Sequence, residues 1–279
     1  MTDALAEQLD GIKIEDSDTS KDPIFAAKDH ASEFDPSQYL EGFYKSASED
    51  TAMQVVLFFL PGVLYRLPNS IENVLDLGAG PTVYIPIAMR NRAQNIFTSD
   101  YAEANRKTLQ SWIENKSDFD WGNVCKWILN IEASTETPEK MQADARSKMR
   151  GILEVNVHKE PVVQNIFYKV DKSYEVPKQF DVITTVFCLE YASETLEEYA
   201  RAVKGAISLI KPGGYLVQGG VLHANEYSFG GKRFRCHYLT QQNLVKNLKD
   251  NGMCTEDKNN NFKLIIHEEI FILVSKKLA

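Results

Sequence analysis

Gly78 and Gly80, within Asp76-Leu77-Gly78-Ala79-Gly80-Pro81-Thr82, stand between an apolar run that ends in an acid and a stretch able to begin a helix. Two glycines so placed let a chain turn tightly at a strand's end and bring its backbone against a ligand with no Cβ in the way. About 20 residues past Gly80 comes Asp100, the separation at which an acid meets ribose hydroxyls. Its charged oxygens can accept two hydrogen bonds from a 2′,3′-diol. The chemistry predicted is nucleoside binding, and what the turn lacks narrows the nucleoside. Val83 stands where a dinucleotide fingerprint has its third glycine, and no lysine follows Gly80 as a P-loop requires. S-adenosylmethionine has no phosphate to cradle and suits the shorter turn. The plain structural alternative is a strand-to-helix turn with no ligand.

The elements around this turn must make an α/β domain. At 279 residues with 43% hydrophobic side chains the chain can build a sizeable core, and a single domain over 25–279 is expected. A net charge of -8 with scattered Lys and Arg argues against a nucleic-acid partner. The longest apolar run, Val55 to Leu60, is too short to span a bilayer and stops at Pro61-Gly62. The acidic stretch Met1 to Asp22 lacks the features of a secretory signal, so a cytoplasmic location is expected. Cys125, Cys188, Cys236 and Cys254 show no paired spacing and the five histidines do not cluster with them, so neither a metal site nor a disulfide framework is expected.

Residues 1–24 are polar and predicted to be disordered. A helical cap is predicted over 25–70, its helical stretch running from Phe34 to Leu67 and entered through Asp35-Pro36-Ser37. Strands are expected near 73–77, 95–99, 152–157, 180–187 and 214–221, with a final pair near 253–257 and 268–275, the last of them antiparallel. Leu196, Tyr199, Ala200, Val203, Ile207 and Ile210 recur at helical spacing, and Lys211-Pro212-Gly213-Gly214 should end that helix. Residues 112–150 interrupt the alternation, with Trp112, Trp121 and Trp127 expected as core or rim packing.

Several separate motifs resemble one family, the small-molecule amine methyltransferases that include the nicotinamide, phenylethanolamine, indolethylamine and thioether enzymes. They are Phe34-Asp35-Pro36 with Tyr39-Leu40 and Tyr44, the glycine turn with Thr82 and Tyr84, Thr98-Ser99-Asp100-Tyr101 with Asn105, Phe119-Asp120-Trp121, Phe187-Cys188-Leu189-Glu190, and Lys211-Pro212-Gly213-Gly214. The resemblance covers about residues 30–279. It implies a Rossmann-like class I methyltransferase fold, with a seven-stranded, mostly parallel sheet, helices on both faces and an N-terminal cap. It also implies S-adenosylmethionine-dependent N-methylation of a small amine or a pyridine such as nicotinamide, in a monomer, with no nucleic acid, membrane or metal involved. The alternative is a cofactor-binding member that has lost catalysis and acts through protein interactions.

On matching positions the resemblance implies that Tyr39 and Tyr44 lie over cofactor and acceptor, and that Gly78, Gly80, Thr82 and Tyr84 line the methionine end. Asp100 and Asn105 would hold the ribose, Asn156 and Val157 would meet the adenine, and Val186 and Phe187 would close the site. Asn156 departs from the family's usual Asp but keeps a carbonyl acceptor. Glu190 is expected to contact the acceptor and, with an alkylamine, to receive its proton; the structural alternative is an acid at a helix N-terminus. Tyr39 is expected beside the reacting atoms, and Phe187, His223 and Tyr227 around the acceptor. Gly220 stands where nicotinamide enzymes carry a second Asp, and His223 and Ala224 replace other polar partners, which weakens nicotinamide as the acceptor and leaves its identity open.

Overall fold

The computed structural model describes residues 22–45 and 51–278; the segment 1–21 lies outside them, so its expected disorder is not addressed. After a short strand β1 (Ile24–Phe25) and a 3-10 turn come α1 (His30–Glu33), α2 (Pro36–Phe43) and α3 (Thr51–Leu64). Asp35 caps α2, its carboxylate accepting from the N–H groups of Ser37 at 3.0 Å and Gln38 at 3.1 Å, while Pro36 takes the first helical position. Alternation then begins: β2 (Ile71–Leu77), α4 (Tyr84–Met89), β3 (Ala93–Asp100), α5 (Glu103–Ile113), α6 (Gly122–Ile131), α7 (Pro138–Lys148), β4 (Met149–Val155) and β5 (Val163–Lys169). The chain continues through β6 (Phe180–Val186), α8 (Leu196–Ser208), β7 (Ile210–Val221), β8 (Glu226–Phe229), β9 (Lys232–Arg235), α9 (Gln241–Asp250), β10 (Phe262–His267) and β11 (Ile270–Lys276).

The main sheet has the order β10-β11-β7-β6-β2-β3-β4-β5. Its centre, β7 to β4, is parallel, and β11 runs antiparallel between β7 and β10. Successive residues of each central strand go to opposite apolar layers, as a period of two demands. Val74, Ile96, Ile152, Val182 and Val217 join the layer of α3, α4, α6 and α7. Leu75, Phe97, Leu153, Ile183 and Leu216 join the layer of α8 and α9. With both faces covered, these strands are nearly continuous apolar runs, which is why they are legible in the sequence.

Four differences from the sequence reading have physical causes. The sheet has eight strands rather than seven because β5 adds to the edge of β4, antiparallel. Its side chains are only half-buried or exposed, so no apolar run announces it. Residues 253–257 form no strand, only an isolated bridge between Met253 and Lys277; the terminal hairpin instead pairs Phe262–His267 with Ile270–Lys276. A second sheet, β1-β9-β8, ties the start of the described chain to a hairpin whose turn, Gly230-Gly231, has φ of +57° and +69°. Helix α8 buries Tyr199, Ala202, Val203, Ala206 and Ile207 as its spacing requires, but Leu196 is exposed and Ile210 already belongs to β7.

Trp112 and Trp121 are fully buried and Trp127 packs against the same layer. No described helix is long and apolar enough to cross a membrane. From β2 the chain winds outward through β3 to β5, then returns to place β6 on the other side of β2. The carboxyl ends of β2 and β6 are therefore a topological switch point, where the crossovers diverge and leave a crevice.

Candidate active site

A cavity of about 520 Å³ opens at that switch point, a size suited to a small ligand and cofactor. Its floor is the glycine turn. Gly78 and Gly80 have φ of +69° and +59°, a left-handed conformation that favours glycine. At Gly78 there is a second demand, since an added Cβ would lie 2.1 Å from Cys188 Sγ, which packs over the turn from beyond β6. Beside Gly80 nothing lies within 4 Å of that position, so its backbone faces open space. The Ala79 N–H donates to the Ser99 carbonyl at 2.9 Å, tying the turn to the end of β3. Thr82 Oγ1 donates to the Ala79 carbonyl at 2.8 Å, and Tyr84 opens α4.

Asp100 ends β3 and lines the cavity with Asn105. Its Oδ2 accepts the Gly80 N–H at 2.8 Å, while Oδ1 accepts the Ala102 N–H at 2.8 Å and Asn105 Nδ2 at 3.0 Å. Burial pushes its pKa up, against the pull of these donors. Three of about four lone-pair sites are thus filled, so Asp100 retains room for one diol hydroxyl rather than the two expected of it. Asn105 supplies the other acceptor: its amide nitrogen is committed to Asp100, and its Oδ1 is buried without a partner. An orphaned acceptor beside a carboxylate, above an open glycine turn, is a fitting seat for a ribose.

The remaining expected residues sort clearly. Tyr39, Tyr44, Thr82 and Tyr84 line the cavity from the cap and α4, and Asn156, Val157 and Val186 from the ends of the sheet. Tyr44 stacks on Tyr84 at 5.8 Å between ring centroids. Asn156 Oδ1 accepts the His158 N–H at 2.9 Å, which fixes its turn and leaves one lone pair. Phe187 and Tyr227 also line the cavity, and Phe187 is held at φ +51°, an unusual value for a bulky residue.

Two expected residues are not brought to the cavity. Glu190 is wholly buried, with Oε1 accepting the Val221 N–H at 3.1 Å and Oε2 without a partner. Its carboxylate fills the space beside Gly220, where a Cβ would come within 2.2 Å of Oε1. Phe187, Cys188, Tyr191 and Ala192 face the cavity from the same turn while Glu190 points behind them. Burial pushes its pKa up to about 7, so near neutrality it is only partly ionised. His223 is largely exposed, 3.8 Å from Glu269 and packed on Tyr238, outside the cavity.

Sequence reasoning missed His30, His158 and Tyr191, which line the cavity. Tyr191 stacks on Tyr227 at 4.0 Å with 7° between planes. Its position next to Glu190 was the available signal, since a residue flanking a site-facing turn samples both sides of it. His30 stands alone in the cap with no pattern around it.

A mostly parallel sheet with a crevice at its switch point, walled in part by aromatic rings, is the Rossmann-like methyltransferase fold. Two solved structures share this fold: a methyltransferase from Methanosarcina mazei described as S-adenosylmethionine-dependent, at 15% identity, covering 78% of this chain and 97% of that one with TM-score 0.50; and an O-methyltransferase family protein from Burkholderia thailandensis, at 15% identity, covering 88% and 60% with TM-score 0.51. A profile of the NNMT/PNMT/TEMT family matches residues 22–278, and the chain belongs to that family. It is an S-adenosylmethionine-dependent N-methyltransferase of small molecules. Among its relatives are the nicotinamide N-methyltransferase of Caenorhabditis elegans, 61% identical over 92% of this chain and 94% of that protein, and the nicotinamide N-methyltransferase of Homo sapiens, 25% identical over 91% and 97%.

Proposed function

We propose that the acceptor is nicotinamide, methylated at its pyridine nitrogen. The observation that carries this reading is the position of Glu190. An alkylamine reaches the site protonated and must lose a proton, whereas a pyridine nitrogen carries a free lone pair near neutral pH. The carboxylate put forward as base and ammonium anchor lies behind the wall, fully buried and raised to about pH 7 by that burial. A cavity so arranged suits a neutral, planar acceptor. The 61% identical relative bearing the nicotinamide name points the same way.

The chain's own residues then have these roles. Asp100 Oδ2 and Asn105 Oδ1 each accept one ribose hydroxyl, and Asn156 and Val157 meet the base. Gly78, Gly80 and Thr82 leave the turn open to the methionine end, with Tyr84 beneath the cap. S-adenosylmethionine, when bound, would supply an electrophilic methyl on a sulfonium; the acceptor's lone pair would bond to it in line as the carbon–sulfur bond breaks and S-adenosylhomocysteine leaves. The faces of Tyr39 and Tyr44 favour the sulfonium cation. Phe187, Tyr191 and Tyr227 wall the chamber and exclude water, so the work of the protein is alignment in a dry chamber.

The test is transfer of labelled methyl from the cofactor to a panel of nicotinamide, other pyridines, arylethylamines and aliphatic amines. Nicotinamide should be methylated with the highest kcat/KM, with little dependence on pH above the pyridine range. An arylethylamine turned over well while nicotinamide stays inert would overturn the reading. Binding of S-adenosylhomocysteine with no turnover of any acceptor would instead favour the catalytically silent alternative.

A further inference from the structure

His30 opens α1 and lines the cavity beside Tyr227, which lies on β8. Both ring nitrogens of His30 are engaged: Nδ1 with the Ala27 carbonyl oxygen and Nε2 with the Tyr227 hydroxyl. A carbonyl oxygen can only accept, so Nδ1 carries the hydrogen. In the neutral ring Nε2 is then an acceptor, and the Tyr227 O–H must donate to it. That spends the only hydrogen on the Tyr227 oxygen and leaves lone pairs alone to meet anything else.

We propose that His30 sets the polarity of the Tyr227 hydroxyl, making this wall of the cavity an acceptor that selects methyl acceptors bearing an N–H donor, such as a primary carboxamide. This rests on the reading of a nitrogen heterocycle as substrate and names how its substituent is recognised. The geometry holds the pair rigidly. His30 stacks on Phe234 at 4.5 Å and on Tyr227 at 5.8 Å, and Tyr227 also stacks on Tyr191 at 4.0 Å. The charge state follows from the surroundings. Burial disfavours the imidazolium and lowers the pKa; the Ala27 carbonyl, Asp100 at the end of β3 and Asp29 on the preceding turn oppose this by smaller amounts. The other neighbours are the apolar rings of Phe34 and Phe234. Protonation would reverse the arrangement, since Nε2–H would donate to the Tyr227 oxygen and free its O–H to act as a donor.

Two measurements test this on the full chain. Side-chain 15N spectra of histidine-labelled protein, with the His30 signals assigned by their loss in His30→Phe, should show the neutral Nδ1–H tautomer near neutral pH. The Nε2–H tautomer or a charged ring would overturn the proposal. The second measurement is the ratio of kcat/KM for nicotinamide over 3-acetylpyridine, which has the same ring and a carbonyl but no N–H. His30→Phe and Tyr227→Phe should each lower that ratio by about tenfold, the worth of one hydrogen bond, and the double variant by no more than either. Affinity for S-adenosylhomocysteine should stay unchanged, and the wild-type ratio should fall at pH below the ordinary histidine range. Unchanged ratios, or losses that add in the double variant, would overturn it. A wild-type protein that methylates neither pyridine refutes the nicotinamide reading, while the spectra still decide the tautomer of His30.

Discussion

Replacing Glu190 with Gln separates a buried structural acid from a catalytic one. In the unfolded chain this side chain loses its proton near its ordinary pKa of 4.5, whereas in the fold burial raises the pKa to about 7. Between those values the folded state holds a proton that the unfolded state has released, so folding takes one up and stability falls as pH rises. The loss begins near pH 4.5 and is complete above about pH 7. A shift of this size corresponds to on the order of 3 kcal/mol, and the group's complete burial leaves solvent little chance to screen it. Gln keeps the Oε1 that accepts the Val221 N–H at 3.1 Å and carries no charge at any pH. Wild type and Glu190→Gln should therefore be about equally stable near pH 4.5, with the variant ahead by on the order of 3 kcal/mol at about pH 8. Urea unfolding of cofactor-free protein, followed through the buried Trp112 and Trp121, reads this gap directly. Nicotinamide turnover should persist in the variant. A gap that does not grow with pH, or a folded variant without pyridine methylation, would refute the placement of this carboxylate behind the wall.

Asp100→Ala removes the remaining acceptor site on Oδ2 and orphans the Gly80 and Ala102 N–H groups; calorimetry should find S-adenosylhomocysteine weakened by on the order of 1–3 kcal/mol. Gly78→Ala meets Cys188 and a left-handed φ together, so melting should show a loss that Cys188→Ala recovers in part, the 2.9 Å contact with the Cβ of residue 188 and backbone strain of about 1–2 kcal/mol remaining. Full recovery would mean the positive φ carries no strain. Arg90 is buried between Glu132 at 2.6 Å and Glu136 at 2.9 Å. Arg90→Leu should cost about 2 kcal/mol in urea unfolding, less than a wholly buried pair because both glutamates keep a quarter of their side-chain surface in water.

The glycine turn and Asp100 were legible because each is a local necessity, whereas the cap tyrosines were placed by the family resemblance. A left-handed bend favours glycine, and an acid at a fixed distance along a βαβ unit lands at the next strand's end. Central strands buried on both faces also announce themselves. The edge strand β5 and the β8–β9 hairpin do not, since their half-exposed side chains follow no apolar pattern. Glu190 was expected at the acceptor because the family resemblance puts an acid there. Yet of the turn from Cys188 to Ser193 only Cys188, Tyr191 and Ala192 line the chamber, while the Glu190 carboxylate lies against Gly220.

Sequence alone thus determined the parallel architecture, the position of the crevice and its suitability for a nucleoside, all consequences of spacing along the chain. Only the tertiary structure decided which side chains look into the chamber. His30 meets Tyr227 across 197 residues, and Glu190 turns toward Gly220 rather than into the chamber. Such pairings depend on the packing of elements distant in sequence, where burial and the hydrogen-bond needs of buried polar atoms fix the direction of each side chain.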